Sequence, residues 1–341
     1  MSPSDEARAL ARESDLLDLH LDTFIPPRLW GYDPLVRHRP RFLRRFAHAD
    51  LPRMDAGEVS GAMWSITTNP VRTAGGRWRT FQRNLARLGA LVDRSEGRLA
   101  FARDAAEYRQ VRAAGAHAVL LAVQGGNAFD AAPDGPASVA DRLLTRVTLV
   151  HLTSNRAGAT SSPASRLRRH RGLSDHGRRQ IEQLDQARAF LDLAHIHPDA
   201  FWDAVDAHDR SLPLIVTHTG VAGVRPHWRN LDDRQIKAIA DSGGVVGIMF
   251  HTAFLRRRGG PRDAAMVAEH LEHVVRVGGP QAVAVGSDYD GAILPPRDLR
   301  SAEAWPWLVQ ILLDRGWTPE AIRGALGGNF LASWARLRPT T

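Results

Sequence analysis

The stretch Leu16-Leu17-Asp18-Leu19-His20-Leu21-Asp22-Thr23 decides how the chain folds and what chemistry it can carry. Its leucines predict a short buried strand. In a strand, His20 and Asp22 alternate with leucines and project to one side. A buried imidazole and a buried carboxylate need hydrogen-bond partners or a cation. A satisfied polar pair at a strand end meets that need as well as a metal site does, so the rest of the chain has to choose between them.

Seven more short apolar segments follow: Val59 to Ile66, Ala118 to Val123, Arg146 to Leu152, Phe190 to His195, Leu214 to His218, Val245 to His251, and Ala282 to Gly286 running into Ser287-Asp288-Tyr289-Asp290-Gly291. Helical periodicity separates them. Thr80 to Asp93 puts Phe81, Leu85 and Leu88 on one face. Asp104 caps a helix to Ala114, Ser138 to Leu144 and Ser174 to Ala189 read as helices, and Pro198 opens another. Asp232 to Ser242 stops at Gly243-Gly244, and Asp263 to Val277 is helical. Phe24 to Asp50 and Thr153 to Gly172 read as long loops, and two tail helices fall near Ala302 to Arg315 and Pro319 to Leu337. Strand alternating with helix eight times predicts an α/β fold, a single (β/α)8 barrel of TIM type with additional C-terminal helices. An open doubly wound sheet is the alternative, but no Gly-x-Gly-x-x-Gly turn or Walker loop follows any strand. The expectation is one domain over 1–341, with Met1 to Ser14 flexible.

Composition narrows the function classes. Hydrophobic content of 43% and charged content of 24% are ordinary for a globular protein. The net charge of +8 rests almost wholly on arginine, since Lys237 is the only lysine. No aromatic-interleaved basic repeat of the single-strand-binding kind stands out beside the basic clusters at 37–45 and 166–171, so no nucleic-acid partner is expected. No apolar run is long enough for a bilayer and no apolar signal core opens the chain, so the expectation is a cytoplasmic protein without a membrane partner. The absence of cysteine excludes disulfides and thiolate zinc sites. Any metal must rest on His and carboxylate ligands.

The polar residues fall at predicted strand ends: His20 and Asp22 on the first, Gln124 on the third, His151 on the fourth, His195 on the fifth, His218 on the sixth and Asp288 on the eighth. In a barrel these ends converge on one rim, where active sites form. Burying so many polar groups without a shared purpose costs several kcal/mol each. A metal centre of N and O ligands supplies that purpose, and zinc suits it.

On these residues the chain resembles the renal (membrane) dipeptidase family, peptidase family M19 of the amidohydrolase superfamily. The resemblance runs from Asp18 to about Trp334. It is carried by Asp18-Leu-His-Leu-Asp22, Asp50-Leu-Pro-Arg-Met-Asp-Ala-Gly57, Val123-Gln-Gly-Gly126, Thr148-Leu-Val-His151, Asp192-Leu-Ala-His195, Thr217-His-Thr219, Arg229-Asn-Leu-Asp-Asp233, Gly286-Ser-Asp-Tyr-Asp-Gly291 and Gly327-Gly-Asn-Phe330. It implies a metallo-dipeptidase that cleaves the amide of a dipeptide-like substrate with a free carboxylate, by water activated at one or two zinc ions. His20 and Asp22 would hold one metal, and His195 and His218 the second. Asp288 would sit beside the first metal and shuttle a proton. His151 would polarise the carbonyl, and Arg229 would fork onto the substrate carboxylate. The resemblance also implies a homodimer.

The sequence departs from the family at Gln124, where a glutamate normally bridges the two metals. A neutral amide is a poor bridge, because two close divalent ions repel strongly where the dielectric is low. Lys237 lies on a predicted outer helix and Asp130 is distant, so neither is an evident substitute. Weakened occupancy of at least one metal site is therefore expected. This leaves two rival readings: a dipeptidase-like binding protein with little hydrolysis, and a related amidohydrolase acting on an N-acyl amino acid or natural-product intermediate. His251 stands where the family often has an aromatic residue, and His197, beside Pro198, reads as a loop residue more than as a spare ligand.

Overall fold

The computed structural model describes residues 2–22, 24–39, 44–167 and 169–339. Thr23 of the opening stretch, 40–43 of the first basic cluster and Arg168 of the second lie outside the described residues. Among the described residues nine strands are formed: β1 Leu17–Leu21, β2 Gly61–Thr67, β3 Leu99–Phe101, β4 His117–Gln124, β5 Leu144–Thr148, β6 Phe190–Asp192, β7 Val216–Thr219, β8 Val246–Ile248 and β9 Val283–Val285. All described pairings between them are parallel. One sheet runs β1-β2-β4-β5-β6 with β3 beside β4, and β7-β8-β9 forms the other. Parallel bridges at Asp192–Ile215 and Leu21–Tyr289 link them, so the parallel sheet is curled, with helices on its outside.

Register explains how polar residues come to share one face. Residues paired in a parallel ladder point the same way. The pairs Ser65–Ala122, Ala122–Arg146 and Arg146–Phe190 form one tier, and Thr67–Gln124, Gln124–Thr148 and Thr148–Asp192 form the next tier toward the carboxyl ends. Below lie Met63 and Leu120, which pack with Phe190, Phe330 and Trp334 in an apolar filling. The other face of these strands, with Trp64, Ile66, Leu121, Val123 and Val147, joins the larger core under the outer helices. In β1 the register slips between Asp18 and Leu21, a bulge of the kind that re-aims side chains beside active sites. Between β7 and its neighbours the backbones approach so closely that a Cβ on Gly247 or Gly286 would lie 2.0 Å from the Thr217 carbonyl oxygen.

Three expectations need correction. Ser138 to Leu144 is not a helix: a 3-10 turn ends at Ser138, Asp141 and Arg142 take left-handed φ of 58° and 54°, and Leu144 already begins β5. Residues 2–14 are not a loose tail. Ser4 caps a helix over Asp5–Glu13, which buries Ala7, Leu10 and Ala11. The strand β3 was not foreseen, being three residues long. Elsewhere the capping signals hold. The Asp104 carboxylate accepts from the Ala106 and Glu107 amides, and Asp232 with Gln235 forms a full capping box. Asp104→Ala should cost about 1 kcal/mol, measured by urea unfolding; an unchanged midpoint would show that the cap does not matter. Among the described residues, no helix is long and apolar enough to cross a membrane.

Candidate active site

His20 lies in β1, Gln124 ends β4 and His218 lies in β7. Asp22 follows β1, where its amide donates to the Tyr289 carbonyl at 2.9 Å. His151, His195 and Asp288 do not end strands as expected. Each sits three residues beyond one, after Thr148, Asp192 and Val285. The chain has turned out of the extended conformation there, with φ of 66° at His195 and 64° at Asp288.

These residues meet at one end of the curled sheet. His20 Nε2 lies 3.7 Å from both Asp22 Oδ2 and Asp288 Oδ1. The His20 and His218 rings stack with centroids 3.8 Å apart. His195 Nε2 and His218 Nε2 are 2.8 Å apart, and Gln124 Nε2 lies 3.3 Å from His195 Nε2. His151 packs edge-on to His195 with centroids 4.8 Å apart. The Arg229 guanidinium is buried and donates from Nη2 to the His218 carbonyl at 2.5 Å, while its Nε has no hydrogen-bond partner among the described residues. A cleft of about 370 Å³ opens onto Gln124 and His151, with Arg28, Asn69 and Asn127 also in its wall.

Beneath the cluster lies a layer that sequence reasoning missed. Arg146 and Asp192 are fully buried and paired at 3.2 Å. The Asp192 carboxylate also accepts from Thr148 Oγ1 at 2.6 Å, Thr217 Oγ1 at 2.8 Å and the Thr217 amide at 3.0 Å. Arg146 Nη2 donates to Ser65 Oγ at 2.6 Å and to His20 Nδ1. On the other side, the Asp18 carboxylate accepts from Ser287 Oγ and from the Ser287 and His20 amides. Alternation was the signal available: Arg146 and Thr148 lie two apart and face the same way as Gln124.

Burial sets most of the electrostatics. It pushes His195 and His218 well below the usual imidazole range and His151 down to about 4, so all three stay neutral near pH 7. Burial, then the Asp22 carboxylate, drives Asp288 well above the ordinary carboxyl range, against the pull of Arg229 and Arg146. Burial alone would raise Asp192 too, but Arg146 and the threonine hydrogen bonds outweigh it and hold the carboxyl below its usual value. Burial brings Arg229 down to about 10.

Four side chains weighed in the sequence stand apart. His197 is the N-cap of the helix Pro198–Ala207, its Nδ1 accepting from the Asp199 amide at 3.1 Å. His251 accepts from the Leu294 amide and packs on Phe254. Asp130 is engaged by Arg77 at 2.6 Å and His176 at 3.1 Å, so it cannot substitute for a bridging carboxylate. Lys237 pairs with Asp241 on an exposed helix face.

A family model described as membrane dipeptidase, peptidase family M19, matches residues 4–338. The chain belongs to peptidase family M19. An M19 metallopeptidase described as dipeptidase AC is 25% identical with a TM-score of 0.83, covering 95% of this chain and 98% of its own. A metallopeptidase from Rhodobacter sphaeroides, solved with a phosphinate mimic of the dipeptide L-Ala-D-Ala, is 25% identical with a TM-score of 0.77 and covers 95% and 99%. An uncharacterized protein in the pqqA 5′ region of Klebsiella pneumoniae is 31% identical over 252 residues, 72% of this chain and 92% of its own. M19 membership implies metal ions, and the side chains fit that chemistry. The ligand atoms of His20, His218 and Asp288 lie within 4.8 Å of one another. Among the described residues, Gln124 Oε1 and Asp22 Oδ1 are buried without a hydrogen-bond partner, an arrangement too costly to keep without something to bind.

Proposed function

We propose that the chain is a metal-dependent dipeptidase that hydrolyses the amide of a dipeptide or dipeptide-like substrate. The observation that carries this reading is the meeting of His20, Asp22, Gln124, His195, His218 and Asp288 beside an open cleft. We take the eight strands other than β3 to close into a (β/α)8 barrel, supported by the Asp192–Ile215 and Leu21–Tyr289 bridges. His195, His218, Asp288, Asp22 and the Gln124 carbonyl oxygen are the groups to hold the metal, and zinc suits such N and O donors. When bound, a divalent ion supplies Lewis-acid activation of water and of the scissile carbonyl.

The protein's own side chains do the rest. Asp288, its carboxyl raised well above the ordinary range by burial, is placed to take a proton and pass it to the leaving amine. Neutral His151 stands at the cleft wall, placed to donate a hydrogen bond to the substrate carbonyl oxygen as negative charge develops. The Arg229 Nε, lacking a partner among the described residues, is available to a substrate carboxylate.

The amide of Gln124 favours a second reading, in which the pocket binds a dipeptide-like ligand and hydrolyses it slowly or not at all. Screening L,L and L,D dipeptides, with N-acyl amino acids in parallel, in the presence of Zn²⁺ separates the readings; the L,D arm follows from the ligand bound by the Rhodobacter relative. Turnover by the parent protein is expected. Gln124→Glu should raise its zinc affinity on the order of tenfold, since a carboxylate replaces an amide beside the ion. Activity found only in the variant would favour the binding-protein reading.

A further inference from the structure

We propose that this site holds one divalent ion rather than two, because Arg146 fixes His20 in the tautomer that cannot ligate. The inference rests on the metal-binding reading above but not on hydrolysis. It concerns which ring nitrogen carries the proton.

An imidazole ligates through the nitrogen that lacks hydrogen, and the hydrogen bond made by the other nitrogen decides which one that is. His218 shows the competent arrangement. Thr217 Oγ1 gives its hydrogen to Asp192 Oδ2 at 2.8 Å, so it accepts from His218 Nδ1 at 2.9 Å. The His218 proton is on Nδ1, and Nε2 faces the cluster with its lone pair free. His20 is the opposite case. Its Nδ1 receives Arg146 Nη2, and a guanidinium is donor only. The other neighbour of Nδ1, Ser65 Oγ at 3.4 Å, already accepts from Arg146 at 2.6 Å and has its own hydrogen left to give. A hydrogen on His20 Nδ1 would point at the N–H of Arg146, the nearer of the two neighbours. A neutral His20 therefore carries its proton on Nε2, the nitrogen that points at Asp22 and Asp288.

Arg146 has no room to turn away. It is fully buried, and it is held by the Asp192 carboxylate, Thr148 Oγ1, Ser65 Oγ and the Val123 carbonyl. The guanidinium also places a fixed positive charge under the half of the cluster that would hold the first ion. Arg146 and the neutral Gln124 act in the same direction: one withdraws a ligand, the other withdraws the bridge. What remains is the side formed by His195 and His218, with the carboxylates facing it.

The test is the metal content of the full-length protein, saturated with Zn²⁺ and desalted, measured by plasma mass spectrometry beside calorimetric titration. One zinc per chain is expected. Two tightly held zincs would overturn the proposal, showing that His20 ligates as imidazolate or that the guanidinium moves; no retained zinc would overturn its single-ion half. Side-chain ¹⁵N NMR gives an independent reading: His20 should show the Nε2–H form and His218 the Nδ1–H form, and an Nδ1–H His20 would sink the idea. Arg146→Gln offers an acceptor at this position and should switch His20 to the Nδ1–H form, and combined with Gln124→Glu in one chain it should raise the content to two zincs. Gln124→Glu alone should leave it at one. Two zincs in Gln124→Glu with Arg146 in place would overturn the assignment to Arg146. Should Arg146→Gln fail to fold, the parent stoichiometry and the NMR still decide.

Discussion

Asp288→Asn is expected to lower kcat on the best dipeptide substrate by about 10²- to 10⁴-fold, the range typical of a lost general acid–base group. Asparagine keeps the size of the side chain and is among the few residues at ease in a left-handed conformation, so φ of 64° should survive. What it removes is the titrating proton. In the parent, burial and then the Asp22 carboxylate raise Asp288 well above the ordinary carboxyl range, while Arg229 and Arg146 oppose them. The variant should keep its circular dichroism and its thermal midpoint while turnover collapses. Near-parental kcat with the fold intact would remove Asp288 from the mechanism and leave the proton to another group.

Removing the carboxylate of Asp192 should have the largest effect on stability. Arg146 and Asp192 are both fully buried, and breaking such a pair by deleting one partner costs about 3–5 kcal/mol, because the other charge is stranded. Asp192→Ala also deprives Thr148, Thr217 and the Ala194 amide of their acceptor. The expected result is a fall of several degrees or more in Tm, with urea unfolding at markedly lower concentration. Pairing it with Arg146→Met should recover much of the loss, as replacement of a buried ion pair by apolar groups is often close to neutral. A loss under 1 kcal/mol in the single variant would mean that water reaches Arg146.

The site was legible where one side chain carried its own signal. His20 and Asp22 alternate with leucines, and His195 and His218 follow apolar runs, so each stood out as polar at the end of something buried. Their exact placement was less legible. His195 and Asp288 lie past their strands because the backbone turns left-handed there, and nothing in a His or Asp announces that turn. Arg146 was hidden for a different reason. In an arginine-rich chain one more arginine inside Val-Thr-rich sequence looks unremarkable, and only the pairing of β5 with β4 and β6 shows that it faces inward. The false helix at Ser138 to Leu144 had the same origin: local spacing favoured it, but Asp141 and Arg142 adopt conformations that no helix contains.

The backbone at His195 and Asp288 carries one more consequence. A left-handed φ costs a side chain such as histidine about 1–2 kcal/mol, and stability as a whole is only on the order of 5–15 kcal/mol. The two positions are thus a standing debt that the fold would be sturdier without. A library of variants selected for heat resistance alone should discard these side chains early, drifting to glycine or asparagine at 195 and to glycine at 288. Hardiness and chemistry pull against each other at these two points, and keeping both residues through such a selection would require that catalysis be demanded at every round.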